Sequence, residues 1–113
     1  IVNILTSYVI GRPPNNQSSY IVSKYSLLGL SKSLSVELGS YGITVNSVSP
    51  SMTNTNLIEK LPLKLKEIIA NNVPVGRLAD PNDITSAVLF LCSKNSTYIS
   101  GENILVSAGE TMH

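Results

Sequence analysis

The sequence predicts an α/β fold in which three parallel strands alternate with helices, and three observations carry this prediction. Short runs rich in apolar and β-branched residues lie at 1–6, 43–48 and 103–106, as expected for strands that are buried on both faces. Apolar residues at helical spacing occupy much of the sequence between these runs. Alternation of strand and helix is typical of right-handed crossovers and a parallel sheet. We therefore expect one folding unit over residues 1–113.

The first predicted strand is followed by a loop and then by the longest helix of the chain. Residues 11–16, Gly-Arg-Pro-Pro-Asn-Asn, cannot continue a regular element. From Ser19 or Tyr20 to about Ser40, apolar residues recur at helical spacing, which predicts a long helix. Small residues at spacings of three and four form a flat strip on it, namely Ser23, Ser26, Gly29 and Ser33. We therefore expect another helix to pack closely against this one.

The second half of the chain is predicted to hold the remaining helices. Residues 57–71 mix apolar residues with Lys and Glu and are interrupted at Pro62, which predicts one or two short amphipathic helices that could form a lid. Asp80 is predicted to cap a further helix, with Pro81 at its first position and Asp83 near the positive end of its dipole. The buried face of this helix is expected to consist of Ile84, Ala87, Val88 and Leu91.

Composition and charge exclude several classes of function. The formal net charge is +1, and the Lys and Arg residues are scattered among Asp and Glu, so we expect no nucleic-acid partner. No apolar stretch approaches the roughly 18 residues that a membrane span needs, and we expect no membrane association. The single cysteine, Cys92, follows an apolar run and is expected to be a buried small hydrophobe, which suits a reducing, cytoplasmic setting. We expect no metal site.

The chain begins within its first predicted strand, without an initiator methionine, and contains no GxGxxG or GxxxGxG turn. Doubly wound dinucleotide-binding folds consist of two halves, and phosphates bind in the half that carries the glycine-rich turn. We therefore expect residues 1–113 to form the carboxy-terminal half of such a fold, with the amino-terminal cofactor half absent.

Three polar residues near the first strand and the long helix are candidates for chemistry. Tyr20 and Lys24 are four residues apart, so their side chains lie on one helix face. An ammonium beside a phenol favours the phenolate and lowers the phenol pKa, which makes the tyrosine a usable general acid or base. Ser7 lies at the carboxyl end of the first strand, where its hydroxyl could hold a carbonyl or alcohol oxygen. Taken singly, these are ordinary helix-surface residues and a strand terminator.

The sequence resembles the short-chain dehydrogenase/reductase family along nearly its whole length. Ile1 to Ser7 is followed, after the family's usual thirteen-residue spacing, by Tyr20-Ile21-Val22-Ser23-Lys24. Further segments resemble the family in order, namely residues 42–50, 50–55, 74–81 and 98–101. Within this family, the sequence most closely resembles the branch of 3-oxoacyl-carrier-protein reductases or of sugar and alcohol dehydrogenases.

The resemblance implies half of a Rossmann fold and an oxidoreductase that uses NAD or NADP to interconvert a carbonyl compound and a secondary alcohol. The catalytic residues that it implies are Ser7, Tyr20 and Lys24. The cofactor-binding residues that it implies are Tyr20, Lys24, Pro50, Ser51, Thr53 and Thr55. Residues 53–72 would cover the substrate. The substrate itself and the choice between NAD and NADP are not predicted.

Two departures from the family pattern affect these expectations. Ser51 stands where the family usually has glycine, which predicts a mildly strained or locally reshaped backbone and puts the cofactor contacts there in doubt. Ser107-Ala108-Gly109 stands where many family members have Asp-Gly-Gly, a change expected to affect the tail and subunit contacts.

Two other hypotheses stay open. The isolated chain could be an inactive fragment that has the catalytic residues but no place for the dinucleotide. It could also be an association module that forms a homo-oligomer through residues 20–40 and 81–92, which family members commonly use for pairing. An unpaired strand edge would be a further cause of association.

Overall fold

The computed structural model describes residues 1–113 and confirms a parallel sheet of three strands with flanking helices. The strands are β1 (Val2–Ile4), β2 (Asn46–Pro50) and β3 (Asn103–Val106). β2 lies in the centre and pairs with both neighbours in parallel. This is the sheet that the alternation of strand and helix predicts.

Three helices connect the strands. The long helix α1 spans Ser18–Glu37 and joins β1 to β2, while α2 (Leu63–Asn71) and α3 (Pro81–Cys92) lie between β2 and β3. α1 ends earlier than the predicted limit near Ser40, and a short 3-10 turn follows it, closed by Gly42 at a φ of 72°. None of the helices is long and apolar enough to cross a membrane.

The central strand lies further along the chain than the sequence predicts. Instead of 43–48, it spans Asn46–Pro50, so a proline ends the strand where we expected a break before it. The N–H of Ser51 continues the ladder to β3 by donating to the carbonyl of Val106 at 3.0 Å. Backbone N–H groups alternate in direction along a strand, so the N–H that Pro50 lacks would have pointed towards β1. Because β1 has already ended, the proline removes no ladder hydrogen bond.

The interior is small and unusually polar. Its buried apolar side chains are Leu5, Val9, Val45, Val48, Val73 and Leu91. Buried polar residues outnumber them. The Asn46 side chain donates to the Ile99 carbonyl at 2.8 Å and accepts from the Glu102 N–H at 3.0 Å, whereas the buried hydroxyl of Ser47 has no hydrogen-bond partner. The accessible surface is 7418 Å². A compact monomer of this mass has about 6,000 Å². The chain therefore exposes more surface than a self-contained domain of its size.

α3 begins as the sequence predicts. Asp80 accepts a hydrogen bond from the Asn82 N–H at 2.9 Å, and Asp83 accepts one from the Asp80 N–H at 2.7 Å, which closes a reciprocal cap around Pro81. Arg77 donates to Asp83 at 2.6 Å. The hydrogen bond from Arg77, with that from the Asp80 backbone, lowers the pKa of Asp83 from its ordinary 3.8 to about 2.

The prediction that Cys92 is buried is wrong. Cys92 is the last residue of α3 and its side chain is exposed. The inward position at this end of the helix belongs to Leu91, which is 4% exposed. Since consecutive residues of a helix point about 100° apart, the next residue turns away from the sheet.

Candidate active site

A cleft of about 630 Å³ opens beside the carboxyl ends of β1 and β2. Loops diverge at this edge of an open parallel sheet, which makes it the usual place for a ligand. The residues that the sequence singles out for catalysis or cofactor binding all line this cleft, namely Ser7, Tyr20, Lys24, Pro50, Ser51, Thr53 and Thr55. The structure thus brings together side chains that lie up to 48 positions apart in the sequence, from Ser7 to Thr55.

Ser7 is held rigidly at the end of the first strand region. It begins a 3-10 helix spanning Ser7–Val9, and its carbonyl accepts hydrogen bonds from the N–H groups of Ile10 and Gly11 at 3.0 and 2.9 Å. The residue is only 4% exposed, yet its hydroxyl makes no hydrogen bond within the chain and is not sealed off from the cleft. A fixed backbone therefore presents a free hydroxyl to a ligand.

Tyr20 and Lys24 lie one turn apart in the first half of α1. The Lys24 Nζ donates to the carbonyl of Ile4, the last residue of β1, at 2.9 Å, and lies 5.7 Å from the centroid of the Tyr20 ring. Tyr20 is 40% exposed, and its hydroxyl makes no hydrogen bond within the chain. An ammonium has three N–H donors, so Lys24 can offer two more to a ligand.

The segment after β2 is anchored where it passes the cleft. Thr53 pairs with Ala79 in an isolated parallel bridge, and the Asn54 N–H donates to the Ala79 carbonyl at 2.8 Å. The Thr53 hydroxyl donates to the Ser51 carbonyl at 3.0 Å. Thr55 follows at an exposed position and makes no side-chain cap of the next 3-10 helix, so its hydroxyl is free. These contacts fix the backbone that carries the predicted cofactor-binding residues.

The expected strain at Ser51 is absent. Only two non-glycine residues have positive φ, Asn16 at 61° and Ala108 at 49°, so Ser51 does not occupy the left-handed region that favours glycine. The strain lies instead at Ala108, in the tail segment where many family members have glycine. Asparagine adopts this conformation easily, whereas alanine does so at a cost.

The segment predicted to cover the substrate reaches the mouth of the cleft. Leu57 and Ile58, in a 3-10 helix of residues 56–58, line the cleft, and Leu57 is 92% exposed. α2 follows after Pro62, as the interruption predicts, and has no buried residue. A weakly packed segment above a cleft is suited to act as a lid, and this role stays a prediction.

Comparison with known proteins settles the family. The family model described as enoyl-(acyl carrier protein) reductase matches residues 1–111, which is nearly the whole chain. The chain belongs to the short-chain dehydrogenase/reductase family. The resemblance carried by residues 1–7, 20–24 and 42–50 is therefore confirmed as family membership.

Relatives within this family are named as reductases and dehydrogenases. The chain is 40% identical over 113 residues to a 3-oxoacyl-(acyl-carrier-protein) reductase of Rickettsia prowazekii (strain Madrid E). The matched region covers 99% of this chain and 46% of the relative. It is 39% identical over 110 residues to a (3R)-3-hydroxyacyl-CoA dehydrogenase of Mus musculus, covering 96% of this chain and 42% of the relative. The chain thus spans about half the length of the curated relatives that it matches.

The cleft fits the nicotinamide end of a dinucleotide, the type of cofactor general to this dehydrogenase/reductase family. Lys24 has donors to spare for ribose hydroxyls, and the hydroxyls of Tyr20 and Thr55 are unbonded. A cleft of about 630 Å³ lies within the usual size range of small-molecule sites. Residues 1–113 contain no glycine-rich turn of the kind that holds the phosphates, so the fit is to one end of the cofactor.

One residue of the cleft escaped the sequence analysis. Tyr8 directly follows Ser7 and lines the same cleft. Burial raises the pKa of the Tyr8 phenol, and the carboxylate of Glu110 and the charge of ionised Tyr20 raise it further. Its position next to a candidate catalytic residue at a strand end was the available clue.

Proposed function

We propose that this chain is the catalytic half of an NAD(P)-dependent oxidoreductase that interconverts a carbonyl compound and a secondary alcohol. Its family membership supports the class of reaction. The observation that carries the proposal is the convergence of Ser7, Tyr20 and Lys24 on one cleft, with both hydroxyls free of hydrogen bonds within the chain. The complete gene product is the active species in this proposal.

The chain's own residues polarise the substrate oxygen and move its proton. When bound, the nicotinamide supplies or accepts the hydride at the reacting carbon. The Ser7 hydroxyl donates a hydrogen bond to the substrate oxygen and fixes its position. Tyr20 gives its phenolic proton to that oxygen during reduction and takes it back during oxidation. The positive charge of Lys24 stabilises the negative charge that develops on the Tyr20 oxygen.

Binding of the nicotinamide end falls to two groups of residues. Lys24 would hold the ribose hydroxyls with its remaining N–H groups. The anchored backbone after β2 would hold the nicotinamide, through Pro50, Ser51, Thr53 and Thr55. Either NAD or NADP suits this arrangement, because the residues that distinguish them contact the adenosine end.

The isolated chain is expected to be inactive. The residues that hold the phosphates lie, in this proposal, outside residues 1–113, which agrees with relatives about twice as long. Titration of the purified chain with NADH or NADPH, followed by intrinsic tyrosine fluorescence, should show no saturable change. Tight, saturable binding would refute this part of the proposal.

The single unpaired cysteine supports a cytoplasmic location.

The test of the catalytic proposal is Tyr20→Phe in the complete gene product. Removing the proton donor should lower kcat by about 10²–10⁴-fold, while the cofactor Kd stays within a few-fold of wild type. The matched control is Tyr25→Phe, since Tyr25 lies on the same helix, is 47% exposed and does not line the cleft. Wild-type turnover in Tyr20→Phe would disprove the assigned role.

A second proposal concerns association through α1 and α3. Apolar side chains stand exposed on both helices, with Val22 at 64%, Val36 at 82% and Leu89 at 64%. On α1, the hydroxyls of Ser23 and Ser26 donate to carbonyls of their own helix. The predicted strip of small residues therefore needs no outside partner for its hydroxyls, which favours close helix packing. We infer that residues 20–40 and 81–92 form a homo-oligomer interface.

The interface proposal is tested at Gly29. Gly29 is exposed and a Cβ added there meets no atom within 4 Å, so we expect Gly29→Leu to preserve the fold of the monomer but to block the approach of another helix. Analytical ultracentrifugation should show an oligomer for wild type and dissociation for Gly29→Leu, with circular dichroism to confirm folding. A wild-type monomer at high concentration would argue against the interface.

A further inference from the structure

The carboxy-terminal tail forms an internally bonded turn over residues 107–111. The Ser107 hydroxyl donates to the Thr111 carbonyl at 2.8 Å, and the Ser107 carbonyl accepts from the Glu110 N–H at 2.9 Å. Within the turn, Ala108 has a φ of 49°. A residue other than glycine keeps such a conformation only where the surrounding contacts hold it. The turn is therefore a structured unit of the fold and not a loose end of the chain.

One side of this turn contacts the chain just after the predicted lid. α2 ends at Asn71, and the Val73 N–H still donates to the Ala70 carbonyl at 3.1 Å. Val73 is 5% exposed, so the chain enters the interior directly after α2. Pro74 then packs on Gly109, which has a φ of 85°, so that a Cβ at Gly109 would lie 3.2 Å from the Pro74 Cγ. Only glycine fits there without displacing the proline ring.

The other side of the turn contacts the loop that follows Ser7. A Cβ at Gly11 would lie 3.0 Å from the Thr111 methyl group. The Gly11 N–H donates to the Ser7 carbonyl at 2.9 Å, so Thr111 packs on a residue that helps to fix Ser7. The same turn thus contacts both the end of the predicted lid and the loop that holds the candidate catalytic serine.

The contact between the tail and the end of the lid is local. A cavity of about 360 Å³ lies between the tail and the segment that follows α2, and its lining includes Val73, Val75, Val106, Ser107 and Ala108. Few apolar contacts therefore support the packing of the proline ring on the tail. A contact of this kind can open locally at a low cost in free energy, without unfolding of the core.

We propose that the turn of residues 107–111 is a clasp that joins the end of the predicted lid to the loop after Ser7 and restrains both. When Pro74 leaves Gly109, the lid loses its hold at the carboxyl end of α2, which has no buried residue to replace it. Displacement of the turn also withdraws the tail from Gly11, which loosens the loop that bonds the Ser7 carbonyl. This inference concerns motion of the chain, and it goes beyond the proposed reaction.

The test is hydrogen–deuterium exchange of the complete gene product, followed by mass spectrometry over residues 7–12 and 63–75. Gly109→Ala places a Cβ against Pro74 and should raise the exchange rate of both segments by about three- to ten-fold. The matched control is Gly42→Ala, because Gly42 also has a positive φ, of 72°, and a Cβ there meets no atom within 4 Å. The control introduces similar backbone strain away from the tail and should leave both segments within about two-fold of wild type.

Two further variants test the route of the effect. Adding Pro74→Ala to Gly109→Ala removes the ring atom at 3.2 Å and leaves the proline Cβ position at 3.8 Å, an ordinary contact distance. Exchange over residues 7–12 should then return towards the wild-type rate. Thr111→Ala removes the methyl group that faces Gly11 without straining the backbone. It should raise exchange over residues 7–12 and carries the test if Gly109→Ala does not fold.

The outcomes are separate from those that test the proposed function. If Gly109→Ala raises exchange in the tail alone, or if Gly42→Ala raises exchange of both segments equally, the clasp is overturned. If both segments exchange faster in Gly109→Ala alone, the clasp is supported. Neither result depends on turnover, so the oxidoreductase proposal stands or fails on its own assays.

Discussion

The effect of replacing Lys24 follows from two contacts in the structure. Its Nζ is fixed by the Ile4 carbonyl at 2.9 Å and stands 5.7 Å from the Tyr20 ring centroid. Lys24→Met keeps a side chain of similar length but removes the charge. The proposed proton transfer develops negative charge on the Tyr20 oxygen, so removing the neighbouring positive charge should slow it.

The size of this effect can be approximated from the distance between Lys24 and Tyr20. If the 5.7 Å from the Lys24 Nζ to the Tyr20 ring centroid stands for the distance between the two charges, they attract by about 3 kcal/mol at an effective dielectric constant of 20 and by about 0.7 kcal/mol in bulk water. These limits correspond to roughly 100-fold and 3-fold in rate. Because Tyr20 is 40% exposed, solvent screens part of the attraction. We therefore expect kcat to fall by about ten-fold, with a higher KM for the cofactor because the ribose donors are lost.

The assay is steady-state oxidation of NADH or NADPH by the complete gene product with a carbonyl substrate. Lys32→Met serves as the control, since Lys32 is an exposed lysine two turns further along α1 that does not line the cleft. If Lys24→Met keeps wild-type kcat and cofactor KM, the electrostatic role assigned to Lys24 is refuted.

Three further predictions test the catalytic serine, the tail and the α3 cap. Ser7→Ala should lower kcat by about 10²–10³-fold with little change in folding, because it removes one hydrogen-bond donor to the substrate oxygen. Single-turnover kinetics measure the rate of this chemical step. Ala108→Gly should raise the free energy of unfolding by about 0.5–1 kcal/mol in urea denaturation, because it relieves a φ of 49°. The lowered pKa of Asp83, about 2, means that its contribution to stability is present above pH 4 and is lost as the pH falls towards 2. Asp83→Asn should therefore show a shallower fall in unfolding temperature than wild type across that pH window.

The strands, the long helix and the α3 cap could be predicted because local patterns determine them. The cap at Asp80 and Pro81 depends only on neighbouring residues, and it forms as predicted. The central strand was placed too early because the tolerance of a proline depends on which neighbour its missing N–H faces. Pro50 is accepted since β1 has already ended, and that is a property of the sheet rather than of the local sequence.

The sequence could predict which residues lie together but not the detail of their surroundings. The family resemblance named residues that the structure places around one cleft. Tyr8 was missed because its place in the cleft depends on the 3-10 turn after β1. Strain was expected at Ser51 and occurs at Ala108, since the sign of φ at a single residue depends on contacts from distant parts of the chain.

Isotope transfer tests the central claim most directly. The complete gene product would be incubated with a ketone and a nicotinamide cofactor deuterated at its transferable position, and the alcohol product examined by mass spectrometry and NMR. Our account predicts one deuterium on the carbinol carbon with the wild type, and a rate reduced by at least about 100-fold with Tyr20→Phe. An alcohol formed without deuterium, or formed equally fast without the Tyr20 hydroxyl, would contradict it.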